Sequence, residues 1–141
     1  MTRKNAVLVD TGPLVASFNE TDQWHTVCVN TLRSFRNPLV TAWPVITEAM
    51  YLLETSVRAQ EGLWELMLSR GLLVLPLGVE DMTRMRELTR RYGDRPMDLA
   101  DAALVRVAER ERIGAIFNVD QRDFAIYRPI HMRNFQLLPK L

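Results

Sequence analysis

Short apolar runs alternate with helix-length amphipathic segments along this chain, and that alternation constrains its fold more than any single motif does. Ala6-Val7-Leu8-Val9 is the first run and Leu39-Val40-Thr41-Ala42 the second. Leu72 to Leu77 and Ala115 to Val119 read as third and fourth strands, and Phe135 to Leu138 adds a short last one. Between them the apolar spacing is helical. Gly12 and Pro13 turn the first run into a short helix, with Pro13 pre-set for the first helical position. Trp24, Val27, Cys28, Leu32 and Phe35 recur about one turn apart behind a capping Asp22, until Asn37-Pro38 breaks the pattern. Pro44 opens a helix with Ile46, Met50, Leu53 and Val57 on one face, and another runs from about Gln60 to Ser69 and stops at Arg70-Gly71. Val79 to Tyr92 is an arginine-rich helix with Met82, Met85 and Leu88 inward, closed by Gly93. Pro96 opens a strongly apolar helix over about Met97 to Arg112. Strands alternating with helices predict one α/β domain over residues 1–141, a mostly parallel sheet covered by helices on both faces.

Composition narrows the class. A chain of 141 residues can bury a substantial core, and 48% apolar with 25% charged residues gives no sign of a disordered tail. No apolar stretch approaches the roughly 20 residues of a membrane helix. Only Ala6 to Val9 follow the polar start before Asp10, too little for a secretory signal. Cys28 is the sole cysteine, which excludes an internal disulfide and a cysteine zinc cluster, so a cytoplasmic location is expected. The net charge of +1 does not announce a nucleic-acid binder. Yet every basic residue except Lys4 and Lys140 is Arg, and a near-neutral total accommodates an acidic site rimmed by arginines.

The acids fall at telling places. Asp10 ends the first strand, Glu48 sits in the first turns of the helix after the second, and Asp120 follows the fourth strand, while Asp98 and Asp101 begin a helix. In a parallel sheet the carboxyl ends of strands and the starts of the following helices share one edge, so these acids are candidates to converge. Clustered carboxylates repel, and in a low dielectric they take up protons or hold a cation. An all-oxygen set suits a hard cation, Mg²⁺ or Mn²⁺, which could activate water and stabilise charge on a scissile phosphate. His25 and His131 lie far apart in sequence, and no glycine cluster precedes a lysine, so neither a serine–histidine triad nor a phosphate loop competes.

Four segments in order resemble PIN-domain ribonucleases, and more narrowly the toxins of VapBC-type toxin–antitoxin systems. They are Val9-Asp10-Thr11-Gly12-Pro13-Leu14-Val15-Ala16, Thr41-Ala42-Trp43-Pro44-Val45-Ile46-Thr47-Glu48, Met97-Asp98-Leu99-Ala100-Asp101-Ala102 and Phe117-Asn118-Val119-Asp120-Gln121-Arg122-Asp123-Phe124. The resemblance implies a three-layer α/β/α PIN-like domain and an acidic metal site of Asp10, Glu48, Asp101 and Asp120. Thr11 would orient the first carboxylate through its hydroxyl. Asn118 stands where similar members often carry Thr or Ser. The resemblance further implies a small homodimer, a cognate antitoxin and a single-stranded or structured RNA substrate.

Local chemistry offers plainer roles for several of these residues. Asp98 reads as a helix cap near the positive end of the dipole rather than a ligand, and Asp123 as a cap for the turn around Phe124. Asp101, one turn inside and between apolar neighbours, needs a partner. His25 reads as a surface residue at a helix start, and Trp24, Trp43 and Trp64 as core or dimer contacts. Arg90, Arg91, Arg95, Arg122 and Arg128 are either a solvated face or RNA contacts that hold phosphates without reading sequence. The reading is a metal-dependent endoribonuclease, with Asp10, Asp101 and Asp120 holding the ion and Glu48 completing the site or positioning water. The alternative is a catalytically inactive module of the same fold that binds RNA or protein. A phosphotransfer receiver is disfavoured because both lysines are terminal, and an aspartate-nucleophile phosphatase because Gly12 replaces the second acid it needs.

Overall fold

A computed structural model describes residues 3–95 and 97–141. Five strands, β1 (Val7–Val9), β2 (Leu39–Ala42), β3 (Leu73–Leu75), β4 (Ala115–Phe117) and β5 (Gln136–Leu138), form one sheet in the order β3-β2-β1-β4-β5. Every pairing is parallel, so the sheet goes beyond the mostly parallel one expected. Parallel neighbours require long crossovers, and the helices supply them. These are α1 (Thr11–Phe18), α2 (His25–Ser34), α3 (Trp43–Leu52), α4 (Val57–Leu68), α5 (Val79–Arg91), α6 (Leu99–Glu111) and α7 (Arg122–Ile126). The result is an α/β/α sandwich. Its strand order reverses between β1 and β4, the place where an open parallel sheet leaves a crevice beyond its strand ends.

The strands are short continuous apolar runs because helices cover both faces. Val7, Leu8, Val9, Val40, Ile116 and Phe117 are all buried. Helix α6 buries a long apolar run, Ala100, Ala102, Ala103, Leu104, Val105, Val107 and Ala108. Its alanines let it lie close against α3, α5 and β2, which fixes the position of its first turn. The β1 and β2 ends are locked together by the buried Thr41 hydroxyl, which donates to the Val9 carbonyl at 2.8 Å. None of the described helices is long and apolar enough to cross a membrane.

Several expectations shift. Asp10 caps α1 and Thr11 is its first residue, so Pro13 sits inside the first turn rather than opening it. Val57 is 73% exposed and starts α4 behind the Ser56 cap, instead of extending the buried face of α3. The left-handed residue after α4 is Arg70, with φ 66°, not Gly71. On α5 the inward stripe is Asp81, Met85, Leu88 and Tyr92, and Met82 is 59% exposed. The third and fourth strands are shorter than the apolar runs that contain them. Pro96, expected to open α6, lies outside the described residues, and α6 begins at Leu99 behind Asp98.

An ion network ties the start of α5 to the end of α6. Asp81 is fully buried and accepts from Arg106 Nε at 2.7 Å, from Arg110 Nη1 at 2.9 Å and from the Gly78 backbone N–H at 2.9 Å. Beside it, Arg84 donates to both Glu109 oxygens at 2.8 Å. Burial alone would raise the Asp81 pKa, but the Gly78 N–H and the two guanidiniums outweigh it and hold the carboxyl below the ordinary range.

Candidate active site

Asp10 leaves β1 with extended backbone, φ −83° and ψ 171°, and caps α1 by accepting the Thr11 backbone N–H on Oδ1 at 2.8 Å. Its own N–H donates to the Phe117 carbonyl at 3.0 Å, which ties it to the end of β4. Its second oxygen, Oδ2, has no hydrogen-bond partner among the described residues. Gly12 belongs here because of close approach. A Cβ at that position would stand 3.0 Å from Val119 Cγ2, pressing the α1 turn against the segment that leaves β4.

Glu48 comes from α3, which starts directly after β2 with Pro44 in its first turn. Asp101 lies in the first turn of α6, where its backbone N–H donates to Asp98 Oδ1 at 2.8 Å. The Tyr127 hydroxyl donates to Asp101 Oδ2 at 2.7 Å, which fixes the carboxylate and leaves Oδ1 for another partner. Asp120 follows β4. Asp10, Asp22, Glu48, Asp98, Asp101, Asp120 and Asp123 line one cavity of about 330 Å³, together with Thr11 and Val119.

The charges in this cavity are of one sign, with no arginine among its lining residues. Burial pushes the Asp10 pKa up to about 7; the Thr11 N–H opposes the rise, and Glu48, Asp98 and Asp120 add to it. Burial likewise raises Asp101 to about 7, opposed by the Tyr127 hydroxyl and reinforced by Asp10, Asp98 and Asp123. Asp120 moves the other way, because the Arg122 side chain holds it below the ordinary carboxylate range. The donor set therefore fits a hard cation: oxygens only, two of them on acids that keep protons near neutrality for want of positive charge. No three His, Cys, Asp or Glu side chains among the described residues form a ready-made ligand group as they stand. Arg122 donates to both oxygens of Asp120.

The expected residues sort as follows. Asp98 is the helix cap it was read to be, and it also faces the cavity. Asp123 makes no cap hydrogen bond; Gln121 precedes α7, and Asp123 instead lines the cavity and faces Arg95 Nη1 at 3.8 Å. The Thr11 hydroxyl does not orient Asp10, because the contact comes from the backbone N–H and buried Oγ1 has no partner among the described residues. Asn118 is buried beneath the site, its Nδ2 donating to the Asp120 carbonyl at 3.1 Å while Oδ1 is unpartnered. His25 is half-buried, with Nδ1 2.7 Å from the Ala16 carbonyl oxygen, rather than a surface residue. Trp24 packs on the core and lines the cavity, whereas Trp43 and Trp64 are exposed.

Of the arginines, Arg122 and Arg95 meet cavity acids, Arg90 and Arg91 are exposed at the end of α5, and Arg128 donates to the carbonyls of Ala125 and Ile126 at 2.9 Å. Tyr127, which holds the candidate acid Asp101, had no place in the sequence-based expectations. A buried aromatic hydroxyl needs a partner, and an acid between apolar neighbours needs a donor, so those two needs were the signal. Burial first and Asp101 second hold the Tyr127 phenol above its usual range, so it stays a donor.

A family model described as the PIN domain matches residues 7–128. The chain is 30% identical to Ribonuclease VapC26 of Mycobacterium tuberculosis, over 94% of this chain and all of that protein. Among solved structures it resembles VapC20 of Mycobacterium tuberculosis, a toxin described as cleaving the sarcin–ricin loop, with a TM-score of 0.78. That match covers 90% of this chain and 98% of the other at 22% identity, a likeness of fold.

Proposed function

The chain belongs to the PIN-domain family, and from that premise we propose that it is a metal-dependent endoribonuclease, a single-domain toxin of a toxin–antitoxin pair. The observation that carries this reading is the convergence of Asp10, Glu48, Asp101 and Asp120 from four separate elements on one cavity, two of them titrating near 7. Its substrate is RNA, its cofactor Mg²⁺ or Mn²⁺, and its workplace the cytoplasm, with a cognate antitoxin and a second copy of the chain as partners.

Asp10, Asp101 and Asp120 would hold the cation, with Glu48 completing the set or positioning water. When bound, a divalent ion of this kind would lower the pKa of a coordinated water and stabilise charge on the scissile phosphate. Anchoring is the protein's own contribution. The Thr11 N–H fixes Asp10 Oδ1 and the Tyr127 hydroxyl fixes Asp101 Oδ2, so each acid keeps one oxygen held and one to offer. With their pKa values raised to about 7, Asp10 and Asp101 would hold a cation more strongly as pH rises through that value.

The test is RNA cleavage by the purified chain in Mg²⁺ or Mn²⁺, with EDTA and Asp10→Asn as controls. The variant keeps the carboxylate's shape and removes its charge, so cleavage is lost while the protein still melts cooperatively. Full activity in Asp10→Asn, or in EDTA, overturns the reading.

A further inference from the structure

Asp120 differs from the other cavity acids in having both carboxylate oxygens engaged. Arg122, at the start of α7, donates from Nε to Oδ1 at 3.0 Å and from Nη2 to Oδ2 at 2.9 Å, and its backbone N–H approaches Oδ1 at 3.4 Å. Three of the carboxylate's roughly four acceptor sites then carry a donor, so a cation that is to be chelated by both oxygens has to displace the guanidinium. Packing does not favour the arginine in that contest. Its side chain is 86% exposed, and an exposed pair is weak enough to be given up. The displaced guanidinium is repelled by the incoming charge yet stays tethered two residues from Asp120. There its planar fork has two free donors in the geometry that suits a phosphate.

We infer that Arg122 is an exchangeable counter-ion, which grips Asp120 until a divalent cation takes the carboxylate and then passes its guanidinium to an RNA phosphate. This rests on the ribonuclease reading and adds to it a positioning residue and an order of events. Arg95 does not share the role, because its contact with Asp123 is a single one at 3.8 Å with no two-point grip.

The exchange has a signature that a merely structural arginine lacks, in that its two effects have opposite signs. Arg122→Gln removes a competitor for the cation and a contact for the phosphate. Calorimetric titration with Mn²⁺ alone gives about two- to fivefold tighter binding in the variant, the range an exposed ion pair can supply. Anisotropy titration of a phosphorothioate single-stranded RNA in saturating Mn²⁺ gives weaker binding, and the slope of log affinity against log salt falls by about 0.7, one phosphate contact. Arg122→Lys keeps the charge without the fork and lies between wild type and Arg122→Gln in both titrations. Unchanged or weaker Mn²⁺ binding in Arg122→Gln, with the wild type binding normally, overturns the exchange alone. Tighter Mn²⁺ binding with unaltered RNA affinity and slope overturns the transfer to phosphate. A wild-type protein that takes up no Mn²⁺ overturns the metal-dependent reading and the exchange with it.

Discussion

Asp81, fully buried, and Asp10, half-buried, both stand at the start of a helix, and they behave in opposite ways because of their company. Asp81 meets two guanidiniums and a backbone N–H, so its charge is fully answered and its pKa is held low. Asp10 meets one backbone N–H and three other acids, and its pKa rises to about 7. Depth is therefore a poor guide to which acid is reactive. What separates a structural tie from a poised site is whether the protein supplies the positive charge itself or leaves that to something it binds.

The largest expected effects should exchange places between these two acids. Asp81→Asn leaves Arg106 and Arg110 without their anion and should cost about 3–5 kcal/mol of stability in denaturant titration, yet cleavage per folded molecule should persist. Asp10→Asn should do the reverse, losing cleavage while gaining stability above pH 7. An Asp81→Asn protein that is stable but inactive would erase the distinction. Next in size is the response to metal and pH. The folded pKa values of Asp10 and Asp101 lie above the unfolded value of 3.8, so the folded state binds more protons between about 4 and 7. Stability in EDTA should therefore fall as pH rises through that window and level off above it. Asp81, shifted downward, contributes stability that is present above 3.8 and lost only on further acidification. Mn²⁺ at a hundred times its dissociation constant should restore about 2.7 kcal/mol at pH 8. Melts at pH 5 and pH 8, with and without Mn²⁺, check both points, and a melting temperature that climbs with pH in EDTA contradicts them. The smallest effect belongs to Asp98. Asp98→Ala should cost about 0.5–2 kcal/mol as a lost cap, Asp98→Asn almost nothing because Asn caps as well, and both should keep measurable cleavage. An inactive Asp98→Asn beside a metal-responsive Asp101→Asn would move the ligand one turn earlier.

Asp10, Glu48, Asp98, Asp101 and Asp120 were legible as acids of one sheet edge because each is fixed by something local, a strand end or a helix start, whereas Asp22 and Asp123, read as caps, also line the cavity. Leu39 to Ala42 reads as a strand and is one, and Asp98 reads as a cap and is one. What escaped was pairing between elements. Periodicity placed Met82 inward on α5, but Arg106 and Arg110 lie on another helix and make Asp81 the residue worth burying, which turns Met82 out. The Tyr127–Asp101 hydrogen bond escaped for the same reason. The Asp120–Arg122 grip is local, yet a guanidinium two residues from an acid carries no sequence sign of whether it faces the acid or the solvent.

The strand order has a consequence in time. Val9 and Phe117 are partners in the sheet although most of the chain lies between them, so Asp10 and Asp120 meet only when β4 docks beside β1. A chain emerging from synthesis can form β1, β2 and β3 with their helices and still lack the wall of the cavity that β4 supplies. Such long-range pairing is slow to close. The proposed reactive centre is therefore completed only when β4, late in the chain, docks beside β1.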